Sequence, residues 1–107
     1  MNHAQIDRLL GGIPAGADGR HRRRVDGYAA TARRCDERIA RLRIELERAL
    51  RAVDAAPGPE TADAAIALAA ELDSLERVQP RIDSWLRVAV GAVSDDPGLE
   101  PFGEGPA

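Results

Sequence analysis

The sequence predicts an all-α protein, a long antiparallel helical hairpin of coiled-coil type, and three observations predict it. Val25, Tyr28, Ala32, Cys35, Ile39, Leu42, Leu46, Ala49 and Val53 recur at alternating gaps of three and four. Ala65, Leu68, Leu72, Leu75, Gln79, Ile82, Leu86, Ala89 and Val93 repeat the same rhythm. Between the two stripes stand Pro57, Gly58 and Pro59, which cannot continue a helix. Alternating spacing sets each stripe along one narrow helical seam, and such a seam is buried only when another helix lies along it.

Composition narrows the class further. A chain of 107 residues is one domain at most, and two helices with tails enclose little core. Only Tyr28, Trp85 and Phe102 are aromatic, so packing falls to Leu, Ile, Val and Ala, a mixture suited to close helix–helix contact. Net charge is −3, but its distribution is uneven. Residues 20–55 carry eleven Arg against six acids, residues 56–93 three Arg against six acids, and residues 94–107 four acids alone. A basic first arm and an acidic second arm attract one another as antiparallel neighbours, which accounts for the basic charge before nucleic acid is invoked.

Residues 1–19 read as an N-terminal arm. HAQIDRLL (residues 3–10) makes two turns of helix with Ile6, Leu9 and Leu10 on one side, and GGIPAGADG reads as a flexible linker. Two outcomes stand side by side: the arm docks its apolar residues on the hairpin, or it stays loosely ordered.

The first hairpin arm covers about residues 20–55. Either Asp18 or Asp26 can cap it. The earlier start is favoured because the stripe already includes Val25, although it sets Arg20, Arg22, Arg23 and Arg24 in the first turns, where the helix dipole disfavours cations. Glu37–Arg41 and Glu47–Arg51 are i,i+4 pairs of the favourable polarity, worth roughly 0.2–0.5 kcal/mol each.

The second arm covers about residues 60–93, opened by Pro59 or Thr61 with Glu60 and Asp63 suitably acidic near its start. At about 1.5 Å per residue each arm is near 50 Å long. Pro80 lies inside the second arm and predicts a kink or a split near Arg77–Gln79. Gln79 beside it is a polar seam residue able to fix register.

This arm is too apolar for one seam. Ile66, Ala69, Val78, Trp85, Val88, Val90 and Ala92 widen its stripe, most strongly after Pro80. A surplus apolar face marks a further contact. Val78, Ile82, Trp85, Leu86, Ala89 and Val93 are therefore the expected partner-binding residues, with Trp85 as anchor. The competing expectation is that the N-terminal arm folds back over them.

Residues 94–107, rich in Pro, Gly and acid, read as a disordered acidic tail. Leu99 and Phe102 stand alone within it, as docking residues do in short peptides. An antiparallel hairpin brings this segment out near Arg20–Arg24, placed to screen the basic cluster.

Chemistry-bearing patterns are absent. His3 and His21 lie apart, Cys35 is the single cysteine, no Glu-X-X-His pair occurs, and carboxylates are scattered over helix surfaces. No catalytic residue, metal or cofactor is expected, and Cys35 on the seam reads as a small buried apolar residue. The sequence has neither a membrane-spanning apolar run nor an export-signal pattern, so a cytoplasmic protein is the default expectation. Length and the helix–turn–helix layout invite comparison with the small secreted hairpins of type VII secretion. The turn here, however, is Ala56-Pro57-Gly58-Pro59 rather than Trp-X-Gly, and Trp85 lies far along the second arm, so no family is assigned.

The functional expectation is a non-enzymatic helical interaction protein, an accessory or adaptor subunit that self-associates as a homodimeric four-helix bundle or docks on a larger complex. The alternative is a nucleic-acid or polyanion binder using Arg20, Arg22, Arg23 and Arg24, the one dense cationic run in the chain.

Overall fold

The computed structural model describes residues 1–91, an arrangement of three helices: α1 (His3–Leu10), α2 (Gly19–Ala55) and α3 (Pro59–Gly91). The two long helices pack against each other as an antiparallel hairpin, and α1 folds back to touch both. The structure measures 58 × 27 × 21 Å along its principal axes. Val93, Ala92 and the acidic segment 94–107 lie outside the described residues.

Local chemistry sets each helix end. Asn2 and Gln5 form a reciprocal capping box at the start of α1: Gln5 N–H donates to Asn2 Oδ1 at 2.8 Å, and Asn2 N–H donates to Gln5 Oε1 at 2.9 Å. Successive turns then carry the linker, with Gly12 N–H donating to Leu9 O, Ile13 N–H to Leu10 O and Ala17 N–H to Pro14 O. Asp18 caps α2, its carboxylate accepting from Arg20 N–H at 2.7 Å, so the earlier of the two possible starts is the one observed. Pro59 takes the first position of α3, where its missing N–H costs nothing. The Thr61 hydroxyl lies 2.9 Å from Ala56 O and 3.1 Å from Gly58 O, closing the connection between the arms.

The expected seams meet. Val25, Ala32, Cys35, Ile39 and Leu42 of α2 and Ala65, Leu72, Ile82, Leu86 and Ala89 of α3 are buried. Tyr28, Leu46, Leu68 and Leu75 are half-buried against the same core. Gln79, the polar seam residue, reaches across the arms to Asp36 Oδ1 at 3.5 Å. Charge complementarity between the arms becomes specific ion pairs. Arg38 grips Glu71 with two nitrogens, Nε to Oε2 at 2.8 Å and Nη2 to Oε1 at 3.0 Å, and Arg43 Nη2 lies 2.9 Å from Glu76 Oε2. These groups are largely exposed, so solvent screening holds each pair to about 1 kcal/mol or less.

One of the two outcomes expected at Pro80, the split, and one expected ion pair are corrected. Pro80 does not split the second arm: α3 is one helix from Pro59 to Gly91. Pro80 is exposed, so the Glu76 carbonyl that loses its N–H donor lies on the solvent side of the helix, where water can replace the missing bond. Glu37 does not pair with Arg41. Its carboxylate lies 3.3 Å from His3 Nε2, because α1 passes over this stretch of α2. Glu47 and Arg51 do pair, at 2.6 Å.

Candidate functional site

An apolar residue becomes a candidate contact only if intramolecular packing leaves it bare, so the placement of α1 decides the question. Ile6 is fully buried between the long helices, joined by Leu9, Leu10 and Ile13 at its margin. Ionic contacts hold α1 in place. Arg33 Nη2 meets Asp7 Oδ1 at 2.5 Å, and the Met1 ammonium meets Asp83 Oδ2 at 2.6 Å. The other oxygen of that carboxylate, Oδ1, is buried with no hydrogen-bond partner among the described residues.

These contacts assign α1 to one flank of the hairpin. On α3, Asp83 and Val90 are seven residues apart and so lie along one edge of the seam, whereas Val78 and Trp85, also seven apart, lie along the other. On α2, Ala29 and Arg33 belong to the first edge, and Arg24 and Thr31 to the second, next to the seam residue Tyr28. Val90 and Ala29, on the α1 side, are 0% and 1% exposed. Val78 and Trp85, on the opposite side, are 41% and 51% exposed.

The six expected partner-binding residues therefore divide. Ile82, Leu86 and Ala89 are buried in the intramolecular core by α2 and α1, Ala89 keeping 8% of its surface exposed. Val78 and Trp85 remain available, and Val93 lies outside the described residues. Val90, expected to widen the apolar stripe, is buried on the α1 side. Sequence reasoning had not singled out Tyr28 as anything but a seam residue. Its ring lies across the hairpin from Trp85, with centroids 6.3 Å apart and planes at 46°. That offset tilt falls within the range aromatic pairs prefer.

Beside these rings, on the bare flank near the hairpin's open end, is a hollow of about 150 Å³ lined by His21, Arg24, Tyr28, Trp85, Val88 and Ala89. Its walls are apolar and aromatic, and its rim is basic. Arg20, Arg22 and Arg23 are exposed in the first turns of α2 beside it, and none of Arg20, Arg22, Arg23 and Arg24 has an acidic partner among the described residues. The helix dipole adds positive potential at the same place. Successive residues are turned by about 100°, so His21, Arg24 and Tyr28 share the side that faces the hollow, Arg20 is turned roughly 70° from it, and Arg22 and Arg23 roughly 130° to either side.

Cys35 is buried at the helix interface, its Sγ 3.9 Å from Leu75 O. Desolvation raises its thiol pKa above the ordinary value, the Asp83 carboxylate pushes it further up, the Met1 ammonium pulls it back, and Asp36 adds a smaller upward push. A thiol so placed is a packing residue and a poor nucleophile. Among the described residues no cluster of His, Cys, Asp and Glu is gathered for a metal, and no helix is long and apolar enough to cross a membrane.

No protein-family model matches the chain, and comparison with curated proteins and with solved structures finds no match.

Proposed function

We propose that this chain is a non-enzymatic helical interaction protein of the cytoplasm, an accessory or adaptor subunit whose contact surface is the flank that α1 leaves bare. One observation carries the reading. Trp85 and Val78 lie two helical turns apart on that flank with half or nearly half of their surface in water, while the equivalent apolar position on the other flank, Val90, is fully covered. Large rigid aromatics half-exposed beside apolar neighbours are the residues that anchor interfaces, since burying them gains much area at little cost in side-chain entropy. The elongated hairpin suits this role: two copies laid flank to flank complete a four-helix bundle, and one copy can lie along a helix of a larger protein.

Sedimentation equilibrium of the purified protein, alone and as Trp85→Glu, tests the proposal. A dimer for the wild type and a folded monomer for the variant is the expected result. A wild-type monomer that also fails to bring down any protein from its source cells, or a dimer untouched by the buried charge, refutes it.

A second reading is supported by Arg20, Arg22, Arg23 and Arg24, which have no acidic partner among the described residues: these four bind a polyanion such as nucleic acid. Affinity for such a ligand falls steeply with salt through counterion release and disappears when the four become Ala. The overall acidity of the chain and its scarcity of aromatics place this reading second.

A further inference from the structure

We infer that the basic-rimmed hollow lined by Tyr28 and Trp85 seats this chain's own acidic segment, with Phe102 in the hollow and its flanking carboxylates on the arginines. The inference rests on reading the bare flank as a contact surface and names what occupies its open end when no partner is bound. Three independent features select this occupant.

The first is charge. Residues 94–107 contain Asp95, Asp96, Glu100 and Glu104 and no Arg or Lys, while the hollow is bordered by Arg24 and His21, with Arg20 one turn before Arg24 on the same helix. Opposite charges so divided attract over about a Debye length, roughly 8 Å at physiological salt. The second is shape and chemistry. Phe102 is the single large aromatic of the segment, set between Glu100 and Glu104, and a hollow of about 150 Å³ walled by an indole and a phenol offers a ring both apolar contact and edge-to-face geometry.

The third is tether length. Val88 and Ala89 line the hollow, and Gly91 follows within one helical turn. Phe102 is eleven residues beyond Gly91, a contour of about 36–40 Å at most, ample for the chain to double back onto a site that reaches from Ala89 back to Trp85. A tether of this length holds the ligand at an effective concentration of about millimolar, so a contact too weak to form between separate molecules is populated within one. Any partner that uses Trp85 must then displace Phe102, and partner binding becomes dependent on salt and on the charge of the segment.

Trp85 is the single tryptophan of the chain and therefore its own reporter. The test is acrylamide quenching of its emission in the full-length protein, at low and at high protein concentration. It is repeated with Phe102→Ser and with Asp95→Asn, Asp96→Asn, Glu100→Gln and Glu104→Gln combined. Both variants lie outside the hairpin, and circular dichroism checks that helix content is unchanged. The expected result is a Trp85 protected at low salt, with protection and blue-shifted emission lost in both variants and lost in the wild type as salt is raised, all independent of protein concentration. Equal quenching in the wild type and both variants overturns the inference. So does protection that grows with protein concentration, which assigns the hollow to a second copy and supports self-association instead. Protection lost in both variants while sedimentation finds no dimer and no partner is captured keeps the inference and removes the interaction reading, so the two fail separately.

Discussion

Tyr28 and Trp85 face each other across the open end of the hairpin, one on α2 and one on α3, with ring centroids 6.3 Å apart. Tyr28 belongs to the α2 seam and is half-buried, whereas Trp85 stands outside the α3 seam and is half exposed. The pair therefore does two things at once: it ties the arms together near their free ends and forms the walls of the hollow. A double-mutant cycle of Tyr28→Leu and Trp85→Leu, followed by urea unfolding, is expected to give a coupling energy of about 0.5–1.5 kcal/mol. Coupling near zero means that the rings are neighbours without attraction.

Ile6 is the residue that commits α1 to the hairpin. An eight-residue helix is marginal by itself in water, even with a capping box, so its order depends on docking. Ile6→Ala removes three buried carbons, a change that costs about 2–5 kcal/mol in a rigid core. Here α1 can peel away instead, and that limits the cost to the docking energy. Hydrogen exchange is expected to show protection lost across α1, with the α2–α3 contact near Leu42 and Leu72 still protected. Uniform loss of protection along all three helices counts against this local response.

Pro80 is an exposed proline inside a helix that nonetheless continues through it. Pro80→Ala restores the N–H that the Glu76 carbonyl lacks and removes the ring clash, against a helix-interior penalty of about 3 kcal/mol for proline. The freer unfolded chain of the alanine variant takes back about 0.4–1 kcal/mol. A net gain of about 2 kcal/mol is expected in urea unfolding. A loss of stability reveals that the fixed backbone geometry of proline at this position is needed for the packing of Ile82 and Leu86.

Cys35 has its thiol pKa raised, so the folded chain holds this proton more tightly than the unfolded chain does. The sign follows directly: the thiol's stabilising contribution is complete below the unfolded pKa of about 9 and is lost as pH rises through that value towards the folded one. Reaction with a disulfide reagent near neutral pH is expected to be much slower than for a free thiol and to reach the free rate in denaturant. Cys35→Ser places a hydroxyl in the same apolar interface and is expected to destabilise by about 1–3 kcal/mol. Fast labelling of the native protein contradicts the burial.

Much of the architecture was readable along the chain, and the reason lies in particular residues. Leu42, Leu72 and Leu86 are buried where the three-four spacing places them, since that spacing is a property of one helix and needs no knowledge of its neighbours. Pro57, Gly58 and Pro59 end one arm and start the next because proline geometry is equally local. The Asn2–Gln5 capping box is equally local, a capping side chain followed three residues later by Gln.

What the chain alone determined, then, is that two helical arms of matched apolar spacing close on each other about a proline-glycine turn, with basic and acidic sides attracting. What only the folded molecule decided is which surplus apolar residues stay in water. Val90 and Trp85 look alike in sequence, each lying just beyond the seam of α3. They differ because Ile6, Asp7 and Met1 bring α1 to Val90's side of the hairpin, and a third helix seated on one flank necessarily leaves the other bare. Periodicity reports an angle about one helix axis and is silent on which edge a distant segment will cover, so the contact surface at Trp85 and Tyr28 emerged from tertiary packing.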